Sequence, residues 1–95
     1  MTDYKPQPID TRTVELDGEL AQLTEKLAEN AHENWSMLRF QQGWSYGPRR
    51  DDGAKQHPNL VPYAALSESD KDLDRSTAME TIKAILALGY SIEKK

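Results

Sequence analysis

Cysteine is absent from all 95 residues, which excludes disulfides and thiolate metal sites and suits a reducing compartment. Histidine is nearly absent too, with only His32 and His57. The run His32-Glu33-Asn34-Trp35-Ser36 begins like a zinc-helix H-E-x-x-H but has serine in place of the second histidine, so no metal site is expected. Long apolar runs are missing. The longest, Ala84 to Leu88, is far short of the ~20 residues that cross a bilayer. The start, MTDYKPQPID, has no basic segment followed by an apolar one and does not read as a signal peptide. No basic stripe appears, and the net charge is −4 with both signs interspersed, which argues against duplex nucleic acid. Catalytic signatures are also lacking: there is no G-x-S-x-G elbow, no P-loop and no dinucleotide glycine pattern. Asp51 and Asp52 are adjacent and in most backbones point apart, a poor geometry for an acid/base pair. The expectation is a soluble cytoplasmic protein that is not an enzyme, with no catalytic residues, no cofactor and no membrane association.

What is present is enough for one small domain, residues 1–95, with a single modest core. The prolines of KPQPI favour an extended N-terminal arm over a helix, and β-branched Thr11 to Leu16 suits a short extended piece. Asp17 can cap a helix that runs from about Gly18 to Gln41. Leu16, Leu20, Leu23, Leu27, Ala31 and Leu38 recur along it at spacings of three, four and seven, the pattern of one buried face. Gly43 is placed to take the left-handed conformation that ends it. SESDKD announces a second helix, with Ser67–Asp70 and Ser69–Asp72 spaced as capping pairs. Ala78, Met79, Ile82, Ile85 and Leu86 line its inner face, Gly89 stops it, and Tyr90 to Ile92 reads as a short extended tail. The fold class is therefore mainly α: two antiparallel helices, an extended N-terminal arm, a long structured crossover loop and short extended pieces.

Beside the leucine stripe, Ala28, His32, Trp35 and Arg39 share a second flank of the first helix. An imidazole, an indole and a guanidinium in a row could stack a flat ring and hold an anion. Equally, Trp35 could pack on the core edge with His32 and Arg39 solvated. The crossover, GWSYGPRRDDGAKQHPNLVPY, reads mainly as framework. Trp44 and Tyr46 share a face if that piece is extended, and Trp44, Leu60, Val61 and Tyr63 are placed to cover the open side of the helix pair. Arg49 and Arg50 are the crossover's only plausible ligand contacts, although Asp51 and Asp52 can pair with them locally. Arg75 lies on the apolar face of the second helix, where an arginine wants acids or carbonyls and acts as a structural clamp.

LAENAHENW (Leu27 to Trp35), GWSYGPRRDD (Gly43 to Asp52), the segment His57 to Tyr63 and ETIKAILALGY (Glu80 to Tyr90) occur in the order and spacing of the RyR domain. Pro6 to Thr11 and Asp74-Arg75 fit as well, so the chain resembles that family from about Tyr4 to Glu93, the domain core. RyR domains are the repeats found in tandem pairs in the cytoplasmic part of ryanodine receptors. With one repeat and no membrane segment, this chain is not expected to be a calcium channel. The resemblance to standalone bacterial or phage RyR domains implies a small ligand-sensing or adaptor role. In tandem repeats the cleft between two copies can take an adenine nucleotide, and the tryptophan matching Trp35 faces it. The implied ligand is a nucleotide-like small molecule stacked on Trp35, with His32 and Arg39 near it. The implied partner is a second copy, as a two-fold homodimer, or another RyR-like domain. The alternative is a protein–protein interaction domain with no small-molecule ligand, docking through the same aromatic flank.

Overall fold

The computed structural model describes residues 3–95. Helix α1 runs from Gly18 to Gln41. Asp17 stands at its N-cap, where the carboxylate accepts from the Leu20 N–H at 2.9 Å and satisfies a donor that the first turn leaves unpaired. At the other end Gly43 has φ +88°. There the Gly43 N–H donates to the Phe40 carbonyl and the Trp44 N–H to the Arg39 carbonyl, the two bonds of a Schellman stop. Helix α2, Glu68–Ala87, repeats the design. Ser67 accepts from the Asp70 N–H, and Gly89 at φ +96° lets Gly89 and Tyr90 donate to Leu86 and Ile85.

The helices pack antiparallel. Glu25 of α1 is ion-paired with Arg75 of α2 at 2.6 Å. Toward the start of α1, Ala21 and Thr24 share a depression with Met79 and Lys83; toward its end, His32 and Trp35 share one with Asp70, Leu73 and Asp74. Arg75 also reaches Glu68 at 2.9 Å and Asp72 at 2.8 Å. The buried Tyr63 donates its hydroxyl to Glu25 at 2.7 Å. One arginine, three acids and a tyrosine thus tie α1, α2 and the crossover together. The guanidinium holds the Glu25 and Glu68 carboxyls below their ordinary range. Burial, with the Glu25 contact second, pushes the Tyr63 phenol up to about 12.

Between the helices lie two two-residue strands, β1 (Ser45–Tyr46) and β2 (Gln56–His57), paired in parallel with Ser45 opposite Gln56 and Tyr46 opposite His57. The chain turns back between them through an antiparallel bridge, Asp51 to Gln56. Lys55 sits at φ +55° with its ammonium on the Gln42 carbonyl at 2.9 Å. This ties the loop to the end of α1. A single 3-10 turn, Tyr63–Ala65, leads into α2. At the other end of the chain, the buried Thr11 hydroxyl donates to Glu80 at 2.6 Å and pins the N-terminal arm to α2.

The core is thin. Among the described residues its apolar members are Ala28, Leu60, Tyr63, Leu66, Ala78 and Ile82, and of these Ile82 is the large side chain that is fully buried. The molecule measures 44 × 43 × 23 Å with a radius of gyration of 16.4 Å, against ~12 Å for a globule of this length.

Several expectations hold: both helices with Asp17 and Ser67 as their caps, the left-handed glycines, the inner face of α2 apart from the exposed Ile85, and the acid-bonded Arg75. Two do not. The leucine stripe is not the buried face of α1. Leu16, Leu20, Leu23 and Leu27 are half-buried, while Ala31 and Leu38 are exposed. The line that goes inside is Ala28, His32 and Ser36. The reason lies in what covers the helix, since small and hydrogen-bonding side chains let the crossover backbone approach where leucines would hold it off. Thr11 to Leu16 is not one extended piece: it begins with a turn, Thr11 to Val14, closed by Val14 N–H to the Thr11 carbonyl at 3.0 Å. The only strands among the described residues lie in the crossover.

Candidate functional site

The flank of α1 that carries His32, Trp35 and Arg39 faces the crossover. His32 is buried, and its Nε2–H donates to the Val61 carbonyl at 2.7 Å. That bond makes Nε2 the protonated nitrogen of the neutral ring. The Ser36 hydroxyl lies 3.4 Å from the same nitrogen. Trp35, one turn further, is half-buried. Its ring stacks on His32 at 5.7 Å and meets the edge of His57 at 5.0 Å. Arg39 lies 5.8 Å from the Trp35 ring and 5.2 Å from that of Trp44, and donates to the Gln42 side chain. Trp44 in turn lies 6.4 Å from His57. The result is a continuous layer of indole, imidazole and guanidinium groups in which β2 supplies the central ring.

His57 takes its place through local bonds. Its strand pairs with β1, and its Nδ1 accepts the Asn59 N–H at 3.0 Å, so Nε2 carries the proton of the neutral ring. Among the described residues that N–H makes no hydrogen bond. Burial and the neighbouring Arg50 and Arg39 hold the His57 pKa below its ordinary value, against weaker pulls upward from Asp52 and Asp70. The ring is therefore kept neutral near pH 7, with one free donor.

A cleft of about 190 Å³ opens here, lined by His32, Trp35, His57, Asn59, Leu66, Asp70, Leu73 and Asp74. Two acids from the start of α2 stand on one side, and the Arg39 and Arg50 charges reach His57 from the crossover and α1. The lining itself carries two acids and no arginine or lysine. Sequence reasoning brought His32 and Trp35 to it but missed His57, Asn59, Leu66, Asp70, Leu73 and Asp74. His57 carried no periodic signal, and its role depends on strands two residues long. Asp70 was legible only as a helix-capping acid.

The other expected residues fall outside this cleft. Arg49 is exposed, and Arg50 is paired with Asp52 at 2.8 Å on the surface. Tyr46 is exposed, Trp44 is half-buried, and Tyr63 is in the core. No group of three or more histidine, aspartate or glutamate side chains suited to a metal ion occurs among the described residues.

An antiparallel helix pair, a pinned N-terminal arm and a crossover sealed by tryptophan, histidine and arginine define a small helical module. Among the described residues no helix is long and apolar enough to cross a membrane. The family model described as the RyR domain matches residues 4–94, nearly the whole chain. The chain belongs to the RyR domain family.

Proposed function

We propose that this protein is a non-enzymatic ligand-sensing or adaptor module, and that its ligand is a flat, nucleotide-like heterocycle held at the Trp35–His57 cleft. The observation that carries this reading is the free Nε2–H of a neutral His57 beside the half-buried Trp35 ring, with Asp70 and Asp74 across the cleft. A heterocycle edge bearing one acceptor and one amino group complements a histidine donor and a carboxylate. At about 190 Å³ the cleft is smaller than the ~300–1,000 Å³ of sites that enclose a drug-sized ligand. It suits one ring system, with a sugar and phosphates left outside toward Arg39, Arg49 and Arg50. Trp35 already has His32, His57 and Arg39 around it within its own chain. The half-site therefore needs a second copy, or another domain of this family, to cover it rather than to supply its stacking ring.

The test uses Trp44→Phe, which leaves Trp35 as the only indole, and follows its fluorescence during titration with adenine and guanine nucleotides. Saturable quenching that is lost in His57→Ala supports the cleft. A flat response at millimolar nucleotide, with no thermal shift, removes the ligand. A second reading then stands, that of a protein-interaction domain. It is favoured by Leu73, which lines the same cleft and is 70% exposed, an apolar rim of the kind a partner side chain covers.

A further inference from the structure

The two walls of the Trp35–His57 cleft offer different things to the edge of a ligand. On the crossover side His57 presents one donor, the Nε2–H that remains once Nδ1 has accepted the Asn59 N–H. On the α2 side Asp70 and Asp74 present only acceptors. The two acids are not equally free. Asp70 sits in the first turn of α2, where one of its oxygens accepts the Ser67 hydroxyl at 2.9 Å. Asp74 is half-buried at the cleft wall, and among the described residues its carboxylate has neither a hydrogen bond nor an ion pair. Its neighbour Arg75 is engaged elsewhere, with Glu25, Glu68 and Asp72. Asp74 also follows Asp70 by four residues, a like-charge spacing on one helix face that lowers stability. The carboxylate lines a cleft and takes no part in holding the fold.

We infer that Asp74 selects the base, so that the cleft takes a guanine in preference to an adenine. The inference rests on the proposed nucleotide-like ligand and specifies its edge. His57 and the two oxygens of Asp74 together offer a donor, an acceptor and an acceptor. The Watson–Crick edge of guanine is the complement: the O6 acceptor, the N1–H donor and the 2-amino donor. O6 accepts from His57, while N1–H and the amino group donate side by side to the carboxylate. This is the same two-bond contact that a carboxylate makes with a guanidinium. Adenine places its amino donor beside a bare N1, whose lone pair meets one carboxylate oxygen and leaves it unmatched. Polar sites discriminate most sharply by such unmatched groups. Asn59 carries both a donor and an acceptor and can turn to suit either base. Trp35 stacks on either ring alike. The choice therefore falls to Asp74.

Calorimetric titration of the full chain with guanosine, adenosine, inosine and xanthosine monophosphates tests this, with Asp74→Asn in parallel. Wild type is expected to hold the guanosine nucleotide about tenfold or more tighter than the adenosine one, the worth of one charged hydrogen bond. Inosine, which keeps O6 and N1–H but lacks the 2-amino group, should fall between them. Asp74→Asn keeps the size of the side chain and turns one acceptor into a donor. It should lose about tenfold on the guanosine nucleotide and gain on xanthosine, whose N1–H and 2-carbonyl match a carboxamide. An aspartate with a merely structural role would not produce that gain. Equal or tighter binding of the adenosine nucleotide by wild type overturns the guanine choice and leaves the ligand cleft standing. A guanosine preference that survives Asp74→Asn, with no gain on xanthosine, overturns the role of Asp74. No binding of any of these nucleotides at millimolar concentration removes the nucleotide-like ligand and this inference together. Binding of acetylarginine amide in their place, lost in Asp74→Asn, would assign the carboxylate to an arginine of a partner protein.

Discussion

The two halves of α1 are held by different physics. In the first half α2 lies alongside: Ala28 of α1 and Ile82 of α2 are both buried, and the Glu25–Arg75–Tyr63 cluster fastens the seam with charged hydrogen bonds. In the second half the crossover covers the flank, with only the first turns of α2 at its edge. There a backbone carbonyl caps His32, Trp35 and Trp44 are interleaved with His57 and Arg39, and a parallel pairing of two residues per strand keeps the layer in place. The first half is a packing problem and is therefore a source of stability. The second is a hydrogen-bonding and stacking problem, which gives less stability and more chemistry. This is where a small domain can afford a binding site.

The most severe way to break the contrast is Ile82→Ala, which removes a large side chain that is fully buried. Such truncations cost ~2–5 kcal/mol, against a total stability of ~5–15 kcal/mol for an ordinary domain. Urea unfolding should show a large loss at the midpoint with both halves of α1 melting together. Loss of the crossover signals alone, with the helices intact, would mean that the seam is not the stabilising half.

Gly47→Ala strikes the other half. A Cβ at residue 47 would come within 2.6 Å of the Gln56 Cβ across the two strands, and neither atom is the free end of a flexible side chain. The strands must part, and overpacking of this kind costs ~1–3 kcal/mol. Far-UV circular dichroism should keep its helical shape while Trp35 and Trp44 fluorescence shifts red. A coincident loss of helix would show the two halves to be one cooperative unit.

The same contrast explains what could be read in advance. Helices announce themselves through periodicity and through caps that act over three or four residues. Asp17, Gly43, Ser67 and Gly89 therefore marked both helices to within a residue or so. Arg75 was legible because a guanidinium on an apolar face must find acids. The rotation of α1 was not legible. Its leucines have the stronger periodic signal, yet the buried line is Ala28, His32 and Ser36, because what packs on that line is backbone from a crossover whose path no local rule predicts. The site suffered the same way: Trp35 and His32 share a helix with visible spacing, whereas His57 joins them through the β1–β2 pairing, a long-range contact with no periodicity.

Tyr63→Phe separates packing from hydrogen bonding at the seam. It keeps the buried ring and removes only the hydroxyl that donates to Glu25 at 2.7 Å. Glu25 is half-exposed and keeps Arg75, so no acceptor is stranded and the loss should be ~1 kcal/mol. It should also remove the alkaline limb of the stability profile. With the phenol raised to about 12 in the folded chain and ~10 unfolded, wild-type stability falls as pH climbs above ~10. The phenylalanine variant should stay flat there.

The smallest expected effect sits in the second half and is a matter of sign. His57 has a folded pKa below its ordinary value of ~6.5, first because it is buried and then because Arg50 and Arg39 stand nearby. Between the two values the unfolded chain holds a proton that the folded chain resists. The histidine's contribution is thus complete above ~6.5 and is lost as pH falls toward the folded value. The Glu25 and Glu68 carboxyls, also depressed, add a separate loss below ~4.3. Urea midpoints at pH 8, 7, 6 and 5 should decline gently below pH 7 in wild type and stay level in His57→Gln, whose amide can still accept from the Asn59 N–H but does not titrate. A decline that survives the substitution would place the titrating group elsewhere. It would also remove the argument that the crossover holds this ring neutral, and with that the donor on which the cleft's preference for a heterocyclic acceptor depends.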